Sequence, residues 1–536
     1  MTRTHRQTPL DSLYVHRPRL WLVVILLLYV VLAFRFAALT PAWQAPDEPA
    51  HYNYIAHIAQ TGSLPILQMG DYDQATLEKL KSEKFPPELS IDGVRYENYQ
   101  PPLYYLLSAI VFRLSSGSLL VLRLFNVVLG FFALLLLYRS LELVFPNKPL
   151  ISLSATSFAA LLPMHLAVTA SLNNDVLAEL LINATLLILL TWMQRYYLPA
   201  AEDAGVDWRQ LLLLGLFCGL GLITKIYAYV MLPIVALAVI VVLWRRRSAL
   251  GQGILSALWV AIPALLLGLP LWIRNILTYG NWDVMGLRWH DHVVIGQMTT
   301  TEFLTEFGWV AYSERALNFT FRSFWGVFGW LGVFMDERIY TAFLIFSGVL
   351  FLGLLWAVVR FISGVPDTDM NDFQIAVLVL LGVMMLAVLA SYAWYNVKFV
   401  QHQGRYFFWG MLPISTAVAL GWREVLQPLQ GLITGTLGAV LAGAIFVSGF
   451  IGGDVDTWTV LMIGVISVLL MVQPLLRAPG ALRNPNEGSL WQRLRRAPLF
   501  TALLGLMRWG VWATPFLLLL ATSLLAPILY IIPQLT

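Results

Sequence analysis

Continuous apolar runs of about 20 residues recur along this chain and limit what it can fold into. The first run, LWLVVILLLYVVLAFRFAAL, covers residues 20–39. A run of about 20 apolar residues can cross a bilayer as a helix, and in lipid only helices and closed barrels satisfy every backbone group. The runs are unbroken rather than alternating, which favours helices. Charged residues make up only 12% of the 536 residues, so we expect an all-α, polytopic integral membrane protein.

Basic residues indicate how the helices are oriented. Cytoplasmic loops of membrane proteins are enriched in Lys and Arg. Arg17 and Arg19 precede the first run, Arg245–Arg247 follow a later run, and a further basic stretch covers residues 477–496. We therefore expect all three positions to be cytoplasmic, which is consistent with about 13 transmembrane helices in the plasma or inner membrane. The single cysteine, Cys218, excludes an intrachain disulfide.

The runs also predict how the chain is organised. We expect a cytoplasmic N-terminal segment (1–19), a catalytic-type transmembrane module (20–273) with an outer loop (41–118), a second outer loop (274–340) and a C-terminal transmembrane bundle (341–536). The apolar run from Pro101 to Leu114 is too short to span, so we expect interfacial helices in the first outer loop. Residues 150–170 read as one continuous span, and the apolar stretch 211–244 reads as two spans broken near Thr224 and Lys225.

The first outer loop begins with PAWQAPDEPAHYNYIAHIAQTG, in which Asp47 and Glu48 stand between two prolines. A helix is predicted from this point to Thr61. Asp47 then falls near the N-cap, where free amides would favour the ionised carboxylate that a general base or a cation ligand requires. The alternative is a capping aspartate beside a solvated glutamate.

A second acidic motif, SLNND, ends at Asp175, where another span begins. Glu179 and Asn183 follow at helical spacing, so the three side chains share one face. Ionisable side chains at membrane depth are costly and usually face a protein interior or a wet cavity. Asp175 could instead be only a charge that a helix N-terminus favours.

Several cations are expected at the same level as these acids, and such a set suits a substrate that carries phosphate. They are Arg35, Lys225, Arg274, Lys398 and Arg405. For Arg35, snorkelling to the interface is an alternative. The need for a metal stays open: a divalent cation on Asp47, Glu48 and Asp175 is possible, as is a set that includes His51.

Together these motifs resemble the C-type (GT-C) superfamily of membrane glycosyltransferases, near the protein O-mannosyltransferase and aminoarabinose-transferase branches. The resemblance covers roughly the first half of the chain. It rests on PDE after the first span, the QPPLYYLL helix, NND at the next acidic corner and the TK break, to which SFWGVFGW and QGRYFFWGMLP add similarity.

The resemblance implies an enzyme that moves a hexosyl or pentosyl group from a polyprenyl-phosphate carrier to a lipid, glycan or protein acceptor outside the cytoplasm. No nucleic-acid partner is expected, because the basic residues lie between spans and follow the topology rule. Asp47 would deprotonate the acceptor with support from Glu48, and Asp175 would place the acceptor or a cation. The substrate-binding residues would be His51, Tyr52, Gln100, Tyr104, Asn174, Lys225, Arg274 and Arg405.

One departure from the superfamily affects phosphate binding. Some members carry a basic residue just before the proline that opens the short helix, and Gln100 stands there in this chain. Phosphate binding would then fall to Lys225, Arg274 or Arg405.

Two other functions fit parts of the pattern. A transporter or flippase for lipid-linked saccharides would explain Glu179 and Lys225, but it predicts repeat symmetry, which the sequence does not show. A glycan polymerase or ligase is the other alternative. The transferase hypothesis requires the PDE corner and the NND corner to be neighbours in space.

Overall fold

The structure is a computed structural model that describes residues 17–197, 207–248, 250–363, 370–473 and 498–536. It is built almost entirely of helices, and the strands within these ranges form one short antiparallel hairpin. The predicted all-α fold class is confirmed. The predicted segment 1–19 and the basic stretch 477–496 lie largely or wholly outside the described residues.

The helices of the first half begin with a long apolar helix and alternate short and long elements. They are α1 (Pro18–Leu39), α2 (Glu48–Thr61), α3 (Gln74–Ser82), α4 (Leu103–Leu114), α5 (Leu119–Val144), α6 (Pro149–Leu161), α7 (Pro163–Thr169), α8 (Asp175–Tyr197), α9 (Trp208–Leu222), a 3-10 turn (Ile226–Val230), α10 (Met231–Arg245) and α11 (Leu250–Tyr279).

The second half contains the hairpin and a 3-10 segment that matters for the site. Its elements are α12 (Leu287–Val293), α13 (Thr300–Gly326), β1 (Val327–Phe328), β2 (Val333–Phe334), α14 (Glu337–Ile362), α15 (Asp372–Tyr395), the 3-10 segment Gly404–Gly410, α16 (Met411–Val425), α17 (Pro428–Gly452), α18 (Thr457–Val472), α19 (Pro498–Ala526), a π-helical turn (Pro527–Ile531) and α20 (Ile532–Leu535).

Many of these helices are suited to a bilayer. Within the described ranges, nine helical stretches are long and apolar enough to cross a membrane, or ten if the bent pair α6–α7 counts as one span. Three shorter apolar helices, α4, α9 and α18, accompany them. The polytopic architecture is confirmed, and the count of about thirteen, which needs α9, α16 and α18 as spans in addition to these ten, stays a prediction.

The predicted continuous span over residues 150–170 is wrong. The chain bends by 66° between α6 and α7. Pro163 opens α7, and Leu162 before it has extended backbone angles, φ −69° and ψ 118°. A residue that precedes proline is pushed out of the helical region by the proline ring, which explains the break.

The predicted break near Thr224 and Lys225 is confirmed. Helix α9 ends at Leu222, and the 3-10 turn begins at Ile226. Lys225 between them is extended, with φ −156° and ψ 143°. The break frees the Lys225 side chain from a helix surface and lets it reach α8.

The segment predicted as a second outer loop, 274–340, contains regular structure. Helix α13 begins at a capping box in which Thr299 and Glu302 satisfy each other's backbone amides, and it is interrupted at Gly308. It runs directly into the hairpin, whose tip places the Trp330 indole N–H 3.0 Å from the Trp43 carbonyl oxygen. The second half of the chain thereby reaches the stretch that carries PDE.

Small residues allow close helix contacts in the second half. Helices α14 and α16 approach so closely that a Cβ added at Gly353 would lie 2.1 Å from the carbonyl oxygen of Gly421. In a bilayer, an apolar side chain contacts lipid tails as favourably as it contacts another helix. Helix association therefore depends on close van der Waals packing, which small residues allow.

We expect Gly353→Ala to lower the thermal unfolding midpoint of the purified protein, because its new methyl group meets backbone that cannot move aside. Overpacking of this kind costs about 1–3 kcal/mol or more. Gly348→Ala on the same helix is the matched control, since nothing lies within 4 Å of its added Cβ. Equal midpoints for the two variants would contradict this account of the α14–α16 contact.

Candidate active site

The PDE corner is organised by a buried ion pair. Glu48 is fully buried, and its Oε2 lies 2.6 Å from Nη2 of Arg123 on α5. The Arg123 Nε donates to the other carboxylate oxygen at 2.8 Å, so the pair is bidentate. The remaining Arg123 donors bind backbone carbonyls at and beyond the end of α1, those of Ala37, Thr40 and Pro41.

Glu48 also connects the PDE corner to the NND corner. Its Oε1 accepts a hydrogen bond from the Leu172 backbone amide at 3.2 Å, and its Oε2 accepts one from the Trp43 amide. Leu172 is the second residue of SLNND. The prediction that the two acidic corners are neighbours is therefore confirmed.

The predicted capping role of Asp47 is wrong. Asp47 occupies the N-cap position of α2, but its backbone is left-handed, with φ 66°, and its side chain makes no capping hydrogen bond. The unusual backbone turns the carboxylate away from the helix amides. It accepts instead from the Tyr96 hydroxyl at 2.8 Å and from Arg405 Nη2 at 2.7 Å.

Asp47 is held in its ionised form by these partners. Burial by itself would raise the pKa of Asp47, but the Arg405 guanidinium and the Tyr96 hydrogen bond outweigh it, so the pKa lies below its usual range. Neighbouring Glu97 shows the opposite behaviour, because burial and the charge of Asp47 raise its pKa to about 7. Glu97 is thus partly protonated near neutral pH, which limits the negative charge beside Asp47.

Asp175 forms the second carboxylate–cation pair. Its Oδ1 lies 2.8 Å from Lys225 Nζ and accepts a hydrogen bond from the Tyr227 hydroxyl at 3.0 Å. Lys225 also donates to Asn174 Oδ1 at 2.5 Å. The Asn174 amide in turn donates to Gln100 Oε1 at 3.4 Å, which ties the QPPLYYLL motif to this pair.

Arg405 joins the two pairs. It is bonded to Asp47 and also interacts electrostatically with Asp175. Arg405, Asp175 and Tyr227 line one narrow cleft. Asp175 and Arg405 therefore face a common space where α8 begins, and each is paired with a partner of opposite charge, Lys225 and Asp47 respectively.

Four predicted substrate-binding residues do not line this cleft and are bonded to other protein groups. Tyr104 is buried and donates to Asn126, whose amide binds the Ser171 and Asn173 carbonyls. His51 lies 2.8 Å from the Tyr105 hydroxyl, and its burial lowers its pKa to about 3, so the imidazole is neutral at physiological pH. Gln100 binds Asn174, as described above. Tyr52 donates to the Gly117 carbonyl and is only half-buried.

Three of the five predicted cations have other partners. Arg274 donates to the Pro65 carbonyl and to Asn275, Lys398 pairs with Asp291, and Arg35 donates to the Leu524 carbonyl. Lys225 and Arg405 are the two that lie with the acidic residues. Of the three positions open for phosphate binding, the geometry therefore favours these two over Arg274.

The three acidic candidates face different cations rather than one point. Glu48 binds Arg123, Asp47 binds Arg405 and Asp175 binds Lys225. In the part of the chain that the structure describes, no three His, Cys, Asp or Glu side chains are grouped as metal ligands. The site as it stands balances its acids with guanidinium and ammonium groups.

Sequence reasoning missed Arg123, Tyr96, Tyr227 and Glu97. Arg123 offered a signal, since it is a charge within a predicted span and such charges usually have a function or a buried partner. Tyr96 and Glu97 precede the QPPLYYLL motif without any periodic pattern, so only the three-dimensional structure brings them to Asp47.

We expect Arg123→Met to destabilise the protein strongly, because it leaves the Glu48 carboxylate buried without its partner. Breaking a buried pair in this way costs about 3–5 kcal/mol. The thermal unfolding midpoint measures the effect, and the double variant Arg123→Met with Glu48→Gln should recover part of it.

The control for this prediction is Arg139→Met, which breaks the partly exposed pair with Glu142. Surface pairs contribute about 0–1 kcal/mol, so a small shift is expected. If both single variants shifted the midpoint equally, the pair of Glu48 and Arg123 would not organise this corner.

Solved structures with a similar arrangement of helices include ArnT from Cupriavidus metallidurans bound to undecaprenyl phosphate, with 13% identity, a TM-score of 0.44 and coverage of 94% of this chain and 77% of that chain. The oligosaccharyltransferase of Archaeoglobus fulgidus, in complex with Zn and sulfate, is 14% identical with a TM-score of 0.43, covering 83% of this chain and 53% of that one. This chain thus spans about half the length of the oligosaccharyltransferase. At TM-scores below 0.5, these likenesses say nothing about the chemistry of the site.

No curated protein matches the sequence. A family described as "Predicted membrane protein (DUF2142)" matches residues 88–418. The match covers more than half of the chain and includes Asp175, Lys225 and Arg405. The protein is therefore an integral membrane protein that belongs to the DUF2142 family.

Proposed function

We propose that the protein is a glycosyltransferase that moves a sugar from a polyprenyl-phosphate carrier to an acceptor hydroxyl at the membrane surface. The observation that carries the proposal is the meeting of two carboxylate–cation pairs, Asp47 with Arg405 and Asp175 with Lys225, at one end of an apolar helix bundle. A lipid-borne donor reaches such a place through the bilayer, so no nucleotide-binding domain is required.

Arg405 and Lys225 suit the phosphate of the carrier. Guanidinium groups bind phosphate oxygens bidentately, and an ammonium group adds a compact positive charge. Both cations are largely buried, with 11% of the Arg405 side chain and 18% of the Lys225 side chain exposed. Little water then competes for the phosphate, and the two charges stabilise the lipid phosphate as it leaves.

Asp47 suits the role of general base. It is ionised, its Oδ1 is oriented by Tyr96, and its Oδ2 contacts the proposed phosphate ligand Arg405. As the acceptor oxygen bonds to the anomeric carbon, the bond from that carbon to the phosphate oxygen breaks, and Asp47 takes the acceptor proton. The products are the glycoside and the lipid phosphate, with inversion at the anomeric carbon.

The other acidic candidates have supporting roles in this proposal. Glu48, fully buried against Arg123, positions Asp47 by fixing the backbone on which it stands. Asp175 holds Lys225 in place, and Asn174 adds a second contact to the same ammonium group.

The distribution of charge supports an active site on the outer face. Helices α5, α8 and α10 all have their site ends at one end of the bundle. Their other ends carry Arg139, Arg195 and Arg245 respectively. Because basic ends favour the cytoplasmic side, this distribution supports a site on the opposite side of the membrane.

We expect Asp47→Asn to reduce sugar transfer by about 10²–10⁴-fold, because the amide cannot take the acceptor proton. Transfer is measured with purified protein and radiolabelled polyprenyl-phosphate sugars. Asp73→Asn is the matched control, since Asp73 caps α3 and asparagine caps equally well. Undiminished transfer by Asp47→Asn would remove Asp47 from catalysis.

We expect Tyr96→Phe to move the acid side of the rate–pH profile to higher pH. Burial raises the pKa of Asp47 and the Tyr96 hydrogen bond lowers it, so the variant carboxylate is protonated at a higher pH and is lost as a base there. Activity above this region should change little.

The control is Tyr72→Phe, because the Tyr72 hydroxyl donates to Gln74 and not to Asp47. An unchanged profile in Tyr96→Phe, or a move to lower pH, would show that Asp47 is not the titrating base.

A further inference from the structure

A buried histidine–glutamate pair, whose glutamate lines the cleft, has no role in the reaction described above. His165 on α7 and Glu179 on α8 are joined by a contact of 3.0 Å between Nε2 and Oε2, and only 1% and 5% of their side chains are exposed. The other ring nitrogen of His165, Nδ1, lies 2.8 Å from the Ala159 carbonyl oxygen.

These two contacts determine where the hydrogens of the pair lie. A carbonyl oxygen only accepts, so Nδ1 of His165 carries a hydrogen. One more proton then lies between Nε2 and Oε2: either a charged imidazole donates it to the carboxylate, or a neutral carboxyl group donates it to the imidazole. In both cases Glu179 Oε1 carries no hydrogen and can only accept.

Glu179 Oε1 is buried and has no hydrogen-bond partner among the described residues. A buried acceptor without a partner costs about 1–3 kcal/mol and calls for an explanation in a native structure. Glu179 lines the same cleft as Asp175 and Arg405. The cleft has room for about one group the size of a water molecule, which matches a single hydroxyl or amino group.

The surroundings indicate which part of a substrate reaches this point. The cleft is also lined by Tyr227 and Trp409, whose rings are stacked with centroids 5.8 Å apart. Apolar ring surface with a few convergent polar groups is the usual lining of a small-molecule site. Arg405 of the same cleft is the proposed phosphate ligand. Of the two groups joined to that phosphate, the sugar and the polyprenyl chain, only the sugar carries hydrogen-bond donors that an acceptor such as Glu179 Oε1 can recognise.

We propose that Glu179 Oε1 recognises one hydrogen-bond donor of the transferred sugar, a hydroxyl or an amino group, and that His165 orients the carboxylate for this contact. The inference rests on the proposed function, because it takes a sugar phosphate as the ligand. Glu179 is thereby a specificity-determining residue, and a sugar that lacks the donor at this position leaves the buried oxygen unpaired.

Two substitutions at one position separate this role from a structural one. In Glu179→Gln, the side-chain NH₂ group donates to His165 Nε2 and the carbonyl oxygen takes the place of Oε1 as an acceptor, so sugar recognition is retained. Glu179→Met has a similar volume and no acceptor. We expect it to lose about 10–100-fold in affinity for the sugar-bearing lipid, the loss that corresponds to one hydrogen bond to a buried polar or charged group.

Binding is measured with undecaprenyl phosphate alone and with undecaprenyl phosphate that carries mannose, glucose, arabinose or glucosamine. We expect the wild type, Glu179→Gln and Glu179→Met to bind the bare lipid phosphate with equal affinity. One or more attached sugars should raise the affinity of the wild type and of Glu179→Gln, and this gain in affinity should be absent in Glu179→Met. The glucosamine arm distinguishes an amino group from a hydroxyl.

Monodeoxy analogues of the best-bound sugar complete the test, and their measurements on the wild type and Glu179→Gln do not depend on the methionine variant being folded. In the wild type and in Glu179→Gln, one position should account for the 10–100-fold loss, and in Glu179→Met that position should cost nothing further. Equal losses at every position, or a sugar gain that persists in Glu179→Met, would overturn the inference. Failure of the wild type to bind bare undecaprenyl phosphate would instead overturn the proposed function.

Discussion

The bidentate pair of Glu48 and Arg123 is the interaction on which the rest of the site depends. Arg123 gathers the carbonyls at the end of α1, while Glu48 binds the amides of Trp43 and Leu172. Buried in this way, two opposite charges satisfy nearly all of their hydrogen-bonding capacity within the protein, which a low-dielectric interior requires. The two acidic corners are close because each contributes backbone to this one pair.

Residues near one another in the sequence were predictable, and residues brought from afar were not. The apolar runs indicated the helices, the Thr224–Lys225 break and the short α4 helix, because length and periodicity are local properties. The NND corner was located for the same reason. Pro163 was a readable signal for the bend between α6 and α7, which the apolar character of residues 150–170 concealed.

The ionised state of Asp47 could be predicted from the sequence, but its physical cause could not. The sequence predicts the Asp47 carboxylate at a helix N-terminus, where backbone amides would stabilise its charge. The structure gives the same ionised state by a different cause, because a left-handed backbone at Asp47 directs the side chain to Arg405. A positive φ at a non-glycine residue depends on the surrounding fold, so no local pattern could reveal it.

Asp47 and Arg405 are 358 residues apart in the chain. During synthesis, the Asp47 carboxylate therefore has no Arg405 guanidinium to pair with until the chain has been made as far as residue 405. A partly made chain has the acid without the cation that both neutralises it and, in our proposal, grips the lipid phosphate. In that proposal, a partly made chain cannot bind the carrier phosphate through Arg405, and the site is complete only when the last third of the protein has been made.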